Sequence, residues 1–215
     1  DIFLEIFDMN NITNEIWKSL SNRLKHEITN EKSDNSIRYF ELSENCKIFS
    51  YKNDLQFNGI LDYLRKLTKG GINDHVAITS SSVCEHNLPQ NCVNFEDRYS
   101  VFQSNVESDS WICFNFRQHQ VAPSSYIIRS YFCNQNMNHP KSWVIEGSDD
   151  GFHWKILDEQ KNCPDLNGNN LVHSFKISND SSDKFQYIRM RLTGKNWNEQ
   201  VTLRIDSFEL YGILY

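Results

Sequence analysis

Between Ser142 and Trp154 the chain alternates, turns and alternates again, which leaves few folds open to it. Trp143 and Ile145 fall on one side of an extended backbone and Ser142, Val144 and Glu146 on the other. That period of two buries one face of a strand. Ser148, Asp149, Asp150 and Gly151 then supply turn chemistry, and Gly151 is free to take the positive φ of a tight hairpin. Phe152, Trp154 and Ile156 take up the alternation again, so the stretch predicts a hairpin with aromatic residues on both arms. Trp111, Trp143 and Trp154 are expected in the core.

Four more blocks carry strand patterns in the same half of the chain: Ser110–Phe116, Val121 with Tyr126–Arg129, Phe185–Arg191, and Leu203–Gly212. Short strands recurring about every 8–12 residues, with Asn, Asp, Ser and Gly between them, read as an all-β sandwich. The hairpin and these blocks, taken in order, resemble the discoidin domains, also called coagulation factor 5/8 type C domains. The resemblance covers residues 75–215 and implies a galactose-binding-like jelly roll. The fold expected is therefore mainly β, a jelly-roll sandwich with a short α-helical N-terminal extension.

Residues 1–70 are patterned differently. Ile16, Leu20, Leu24 and Ile28 recur every four residues, joined by Trp17, behind the capping candidates Thr13 and Asn14; this predicts an amphipathic helix. Residues 29–36 read as a polar linker. Phe40, Leu42, Ile48, Phe49 and Tyr51 belong to short strand-like or irregular pieces. Ile60, Leu61, Leu64 and Leu67 predict a second helix over Asn58–Lys69, closed by Gly70 and Gly71. The phrase Phe57–Leu64 ahead of a discoidin-like region resembles intracellular protist-type proteins in which a BTB domain and a BACK-like helical segment precede the sandwich. That resemblance divides the chain into a BACK-like extension and linker at 1–70 and a discoidin domain at 75–215. The chain opens on Asp1 rather than Met and shows no leader, which reads as a fragment or a processed product.

A net charge of −6 disfavours nucleic acid and anionic membranes as partners, since both select basic surfaces. No apolar run is long enough for a bilayer-spanning helix. Met137 alone among the middle-loop residues is apolar, too little for membrane insertion. Six cysteines in a chain with 39% hydrophobic residues are more than a core of this size needs as staples, so they read as reduced. The resemblance adds that secreted members close the sandwich ends with a disulfide; Tyr211, Gly212 and Ile213 offer no cysteine there. The localisation expected is cytoplasmic, with a cytoskeletal assembly as one setting.

Catalytic signatures are missing: no nucleophile elbow, no phosphate-cradling loop, no His-Glu-x-x-His helix. Cys84, His86 and Cys92 lack the paired short spacing of structural zinc, so no metal and no cofactor is expected. The resemblance places a ligand site in loops at one end of the barrel, here Ser80–Ser82 onward, Asn134–His139 and Gly194–Gln200. Sugar-binding relatives use an arginine, an amide and an aromatic platform; Arg129, Asn138 and Trp197 stand nearest those places. Guanidinium and amide would give directed hydrogen bonds, and the indole would cover an apolar sugar face. Arg129 paired with a carboxylate and Trp197 capping the barrel are the structural alternatives. Arg204-Ile205-Asp206 matches the Arg-x-Asp half of the fucose-binding motif, but no histidine stands at the matching distance. The function favoured by the sequence is a non-enzymatic module for protein–protein interaction, a scaffold or adaptor, with Trp17, Trp197 or Tyr99 as partner anchors. A galactose-type carbohydrate-binding module is the alternative.

Overall fold

The computed structural model describes residues 39–43, 46–52, 56–67, 71–97, 99–177 and 183–215. Residues 38–215 form one compact unit. The predicted helix carrying Trp17 lies outside the described residues. Among the described residues two five-stranded antiparallel sheets make a sandwich. In chain order the strands are β1 Tyr39–Ser43, β2 Cys46–Phe49, β3 Ala77–Ser80, β4 Phe102–Gln103, β5 Trp111–Asn115, β6 Val121–Arg129, β7 Trp143–Ser148, β8 Lys155–Gln160, β9 Val172–Lys176, β10 Tyr187–Leu192, β11 Arg204–Ile205 and β12 Ser207–Leu214. One sheet runs β1-β2-β12-β6-β9 and the other β3-β5-β10-β7-β8, with β4 and β11 as a small separate pair. The architecture is the jelly-roll sandwich expected.

β10 shows how the sequence writes this fold. Ile188, Met190 and Leu192 are buried and Tyr187, Arg189 and Arg191 are half-buried, one face against the core and one toward water. The core that results is an aromatic file between the sheets. Phe114 stacks on Phe208 at 4.9 Å, Phe208 lies 5.9 Å from Tyr126, and Tyr126 stacks on Phe175 at 5.0 Å. Trp143 meets Phe175 edge-on at 5.3 Å. Its Nε1–H donates to Tyr126 Oη at 3.0 Å, and that hydroxyl donates to Asp158 Oδ2 at 2.7 Å. The buried phenol and indole thus have partners, as burial of polar groups requires.

The hairpin of Trp143–Ser148 and Lys155–Gln160 forms, but its second arm faces differently from the alternation. Gly151 does take φ +77°. Asp150 Oδ1 accepts the N–H groups of both Phe152 and His153 at 2.8 Å, which extends the turn and throws Phe152 into solvent, 84% exposed. A register shift opposite Ile145 and Glu146 then inserts one extra residue in β8. Leu157 goes inward while Ile156 faces out. Trp154 lies outside the core, with the Arg189 guanidinium over its ring at 3.9 Å. Of the three core tryptophans expected, Trp143 is fully buried; Trp111 and Trp154 are half-buried.

The stretch 38–67 belongs to the same compact unit as the strands after it. β1 and β2 extend the first sheet beside β12. The helix α1, Ile60–Leu67, starts two residues later than predicted. It buries Ile60, Leu61 and Leu64 in the common core and leaves Leu67 exposed.

Candidate functional site

The register fixes which loops meet. Arg129 faces Val172 and Ser207 across the first sheet, and Trp143 faces Gln160 and Leu192 across the second. The segments 81–110, 130–142, 161–171 and 193–206 therefore gather at one end of the sandwich. All three loop stretches singled out in the sequence lie there. Ser82 Oγ bonds Glu107 Oε1, and the Glu107 N–H reaches the Val201 carbonyl at 3.4 Å, tying the first stretch to the third. The Trp197 N–H donates to the His139 carbonyl at 3.1 Å, tying the third to the middle.

Arg129 is not on the rim of this end. It is 7% exposed and its Nε donates to Asp206 Oδ1 at 2.5 Å. Nη2 reaches the Phe95 carbonyl at 3.1 Å, and the guanidinium covers the Phe57 ring at 5.0 Å. Burial lifts the Asp206 carboxyl above its ordinary range, against the bonds from Ser207 and Arg129. The expected ligand arginine is thus a core cation bound to a core carboxylate, because the β6 end is covered by the chain around Phe95.

Asn138 and Trp197 do come together. Asn198 Nδ2–H donates to Asn138 Oδ1 at 3.0 Å. Trp197 is half-buried; its Nε1–H donates to the Cys163 carbonyl at 3.3 Å and Lys141 Nζ stands 4.9 Å from its ring. Its indole face is therefore partly taken by lysine.

A different arginine presents itself at this end. Arg204 lays its guanidinium on the Tyr131 ring, 3.9 Å from the centroid. It makes no ion pair or side-chain hydrogen bond among the described residues, and its Nε is buried without a partner. On the same ring, 4.8 Å away, packs His139, whose Nε2 meets the Asn134 carbonyl at 2.9 Å. Burial, with the Arg204 charge adding to it, lowers the His139 pKa against its backbone bonds, so the imidazole is neutral near pH 7. Burial pushes the Tyr131 hydroxyl up to about 12. Nearby Tyr99 and Phe132 form an edge-to-face pair at 5.6 Å, with exposures of 76% and 52%. No group of three His, Cys, Asp or Glu residues poised for a metal occurs among the described residues.

No family model matches the chain, and no curated protein matches it. Solved structures do. CpGH89CBM32-5 from Clostridium perfringens, in complex with GalNAc-beta-1,3-galactose, superposes with a TM-score of 0.51 at 11% identity, covering 64% of this chain and 95% of that one. The family 32 carbohydrate-binding module of C. perfringens NanJ, in complex with galactose, gives 0.50 at 13% identity over 63% and 93%. A point mutant of the lectin binding domain of Lectinolysin, complexed with Lewis b, gives 0.50 at 13% over 63% and 91%. This chain has the fold of those modules.

Of the groups at the loop end, the sequence pointed to Asn138, Trp197 and Tyr99. It pointed to Arg204 only through the Arg-x-Asp phrase, and to Phe132 not at all. The phrase held the signal: along 204–206 the backbone leaves Arg204 half-exposed and sends Asp206 inward to Arg129.

Proposed function

We propose that the sandwich is a non-catalytic carbohydrate-binding module whose ligand end is the loop end carrying Arg204. The observation that carries this reading is the Arg204 guanidinium, half-buried, stacked on Tyr131 and without a carboxylate partner among the described residues. A cation held so without an anion is costly unless a ligand or water accepts its hydrogen bonds. The Asn138–Asn198 amide pair supplies further directed bonds, and Tyr99 with Phe132 supplies exposed ring faces. Directed polar groups beside aromatic faces suit a sugar, with its hydroxyl edges and apolar C–H face. That the three similar modules are complexes with GalNAc-beta-1,3-galactose, galactose and Lewis b supports this choice over the scaffold reading favoured by the sequence.

A glycan array probed with the purified chain tests it. Specific binding is expected, lost in Arg204→Ala and weakened in Tyr99→Ala, with circular dichroism unchanged. An array without signal, or a signal untouched by both variants, would overturn the reading. Protein–protein interaction remains the second reading, because exposed Tyr99 and Phe132 are the residue types that anchor interfaces. Recovery of a stable protein partner by the wild type and not by Tyr99→Ala, together with a silent array, is its signature.

A further inference from the structure

At the opposite end of the sandwich the rings of two histidines are in contact. β3 and β5 pair with Ala77 opposite Asn115, so the chain just before β3 and the turn just after β5 must meet. His75 closes the short turn Ile72–Asp74 with its N–H on the Ile72 carbonyl at 3.0 Å. His119 sits in the β5–β6 turn with its N–H on the Phe116 carbonyl at 2.9 Å. Both side chains are half-buried and so within reach of solvent. His75 Nδ1 and His119 Nε2 stand 3.3 Å apart, with the ring centroids 5.4 Å apart and the planes inclined at 43°.

We propose that His75 Nδ1 and His119 Nε2 form a chelating site for a divalent transition-metal ion of the nitrogen-binding class, nickel(II), copper(II) or zinc(II). Two imidazole nitrogens bound at about 2.0–2.1 Å with a near-tetrahedral angle stand about 3.3–3.4 Å from each other. The pair already has that separation. Without metal, one of the two nitrogens donates to the other. With metal, both present lone pairs, and the shared proton moves to the outer nitrogen of its ring, so no proton is lost overall. The His119 ring is also bonded to the Tyr215 backbone, the kind of outer contact that fixes the orientation of a ligating imidazole. Imidazole pairs select nickel, copper and zinc over magnesium and calcium. No third His, Cys, Asp or Glu completes a group here among the described residues, so water or a small anion fills the remaining positions. The ion expected is accessible and exchangeable, unlike a four-ligand structural zinc.

Calorimetric titration with Ni²⁺, thiols kept reduced by a non-chelating phosphine, tests this on the whole chain. One ion per chain is expected, bound about tenfold or more weaker in His75→Asn and in His119→Asn, with no heat from Mg²⁺. Wild-type protein that takes up no Ni²⁺, or variants that take it up as well as the parent, would overturn the site. A second measurement needs no variant. One equivalent of Zn²⁺ should perturb the ring resonances of two of the seven histidines, those assigned to His75 and His119. Perturbation of no histidine, or of another pair, sinks the proposal.

Discussion

Truncating Arg129 would leave Asp206 in the core with its remaining partner Ser207 and an Oδ2 that already lacks one. Removing one member of a buried ion pair costs about 3–5 kcal/mol, mostly from the charge left behind. Arg129→Ala is therefore expected to lower the melting temperature steeply, whereas Arg204→Ala should leave it nearly unchanged; equal melting of the two variants would contradict the assignment of core and rim arginines. Gly212 is a second residue whose role is steric. Its φ is +140°, at the register shift where β12 passes Pro123, and a Cβ there would stand 2.2 Å from the Ala122 carbonyl oxygen. Gly212→Ala must therefore push the two strands apart. A loss of about 2 kcal/mol or more in denaturant unfolding is expected, in line with strain at a position only glycine tolerates.

At the scale of elements, β12 explains why α1 exists. All but one of its residues from Ser207 to Leu214 are buried, which a one-sided strand cannot achieve. Phe208 and Leu210 belong to the hydrophobic core cluster, while Glu209 meets the first turn of α1. Its carboxylate accepts the N–H groups of Gly59, Leu61 and Asp62 at 2.8–3.1 Å, the orphan donors of the helix start, as well as that of Leu210. A residue 147 positions away in sequence thus caps the helix. Neither half of that contact was legible in the amphipathic pattern, which showed only the apolar face of Ile60, Leu61 and Leu64. Burial, opposed by the four N–H groups, raises the Glu209 carboxyl to about 7. A folded pKa above the unfolded one means that the native state holds the proton longer. Glu209 thus favours folding most below about pH 4.5 and loses that contribution as pH rises through 7. Measured as wild type minus Glu209→Gln, the unfolding free energy should shrink by on the order of 1–3 kcal/mol between pH 5 and pH 8. A difference that stays flat or grows with pH would mean that the N–H groups outweigh burial.

For the whole molecule, the local alternation was enough for the sandwich, because each strand's inward face must be apolar wherever its partner lies. Which loops share an end depends on the register between strands far apart in sequence, and that left Arg204 and Phe132 in the shadow of Arg129. The bulge in β8 defeated the alternation for the same reason: one extra residue is invisible until the partner strand is known. The cysteines are the property of the whole fold most open to direct measurement. All six lie among the described residues and none is in a disulfide. Cys92, Cys113 and Cys163 are buried, and Cys46, Cys84 and Cys133 are half-buried. Burial pushes the Cys113 thiol up to about 12 and Cys163 up to about 11, and raises Cys92 further still. Since only the thiolate attacks a disulfide reagent, buried thiols of high pKa react only when the sandwich opens. At pH 8 and without reductant, an aromatic disulfide reagent should label three thiols quickly in the native protein and all six after denaturation. The slow three should follow the unfolding rate, rising steeply with denaturant. A denatured total of four or fewer would reveal a disulfide that this packing does not contain, and a fast native count of six would mean that Cys92 and Cys113 are not enclosed by the sheets.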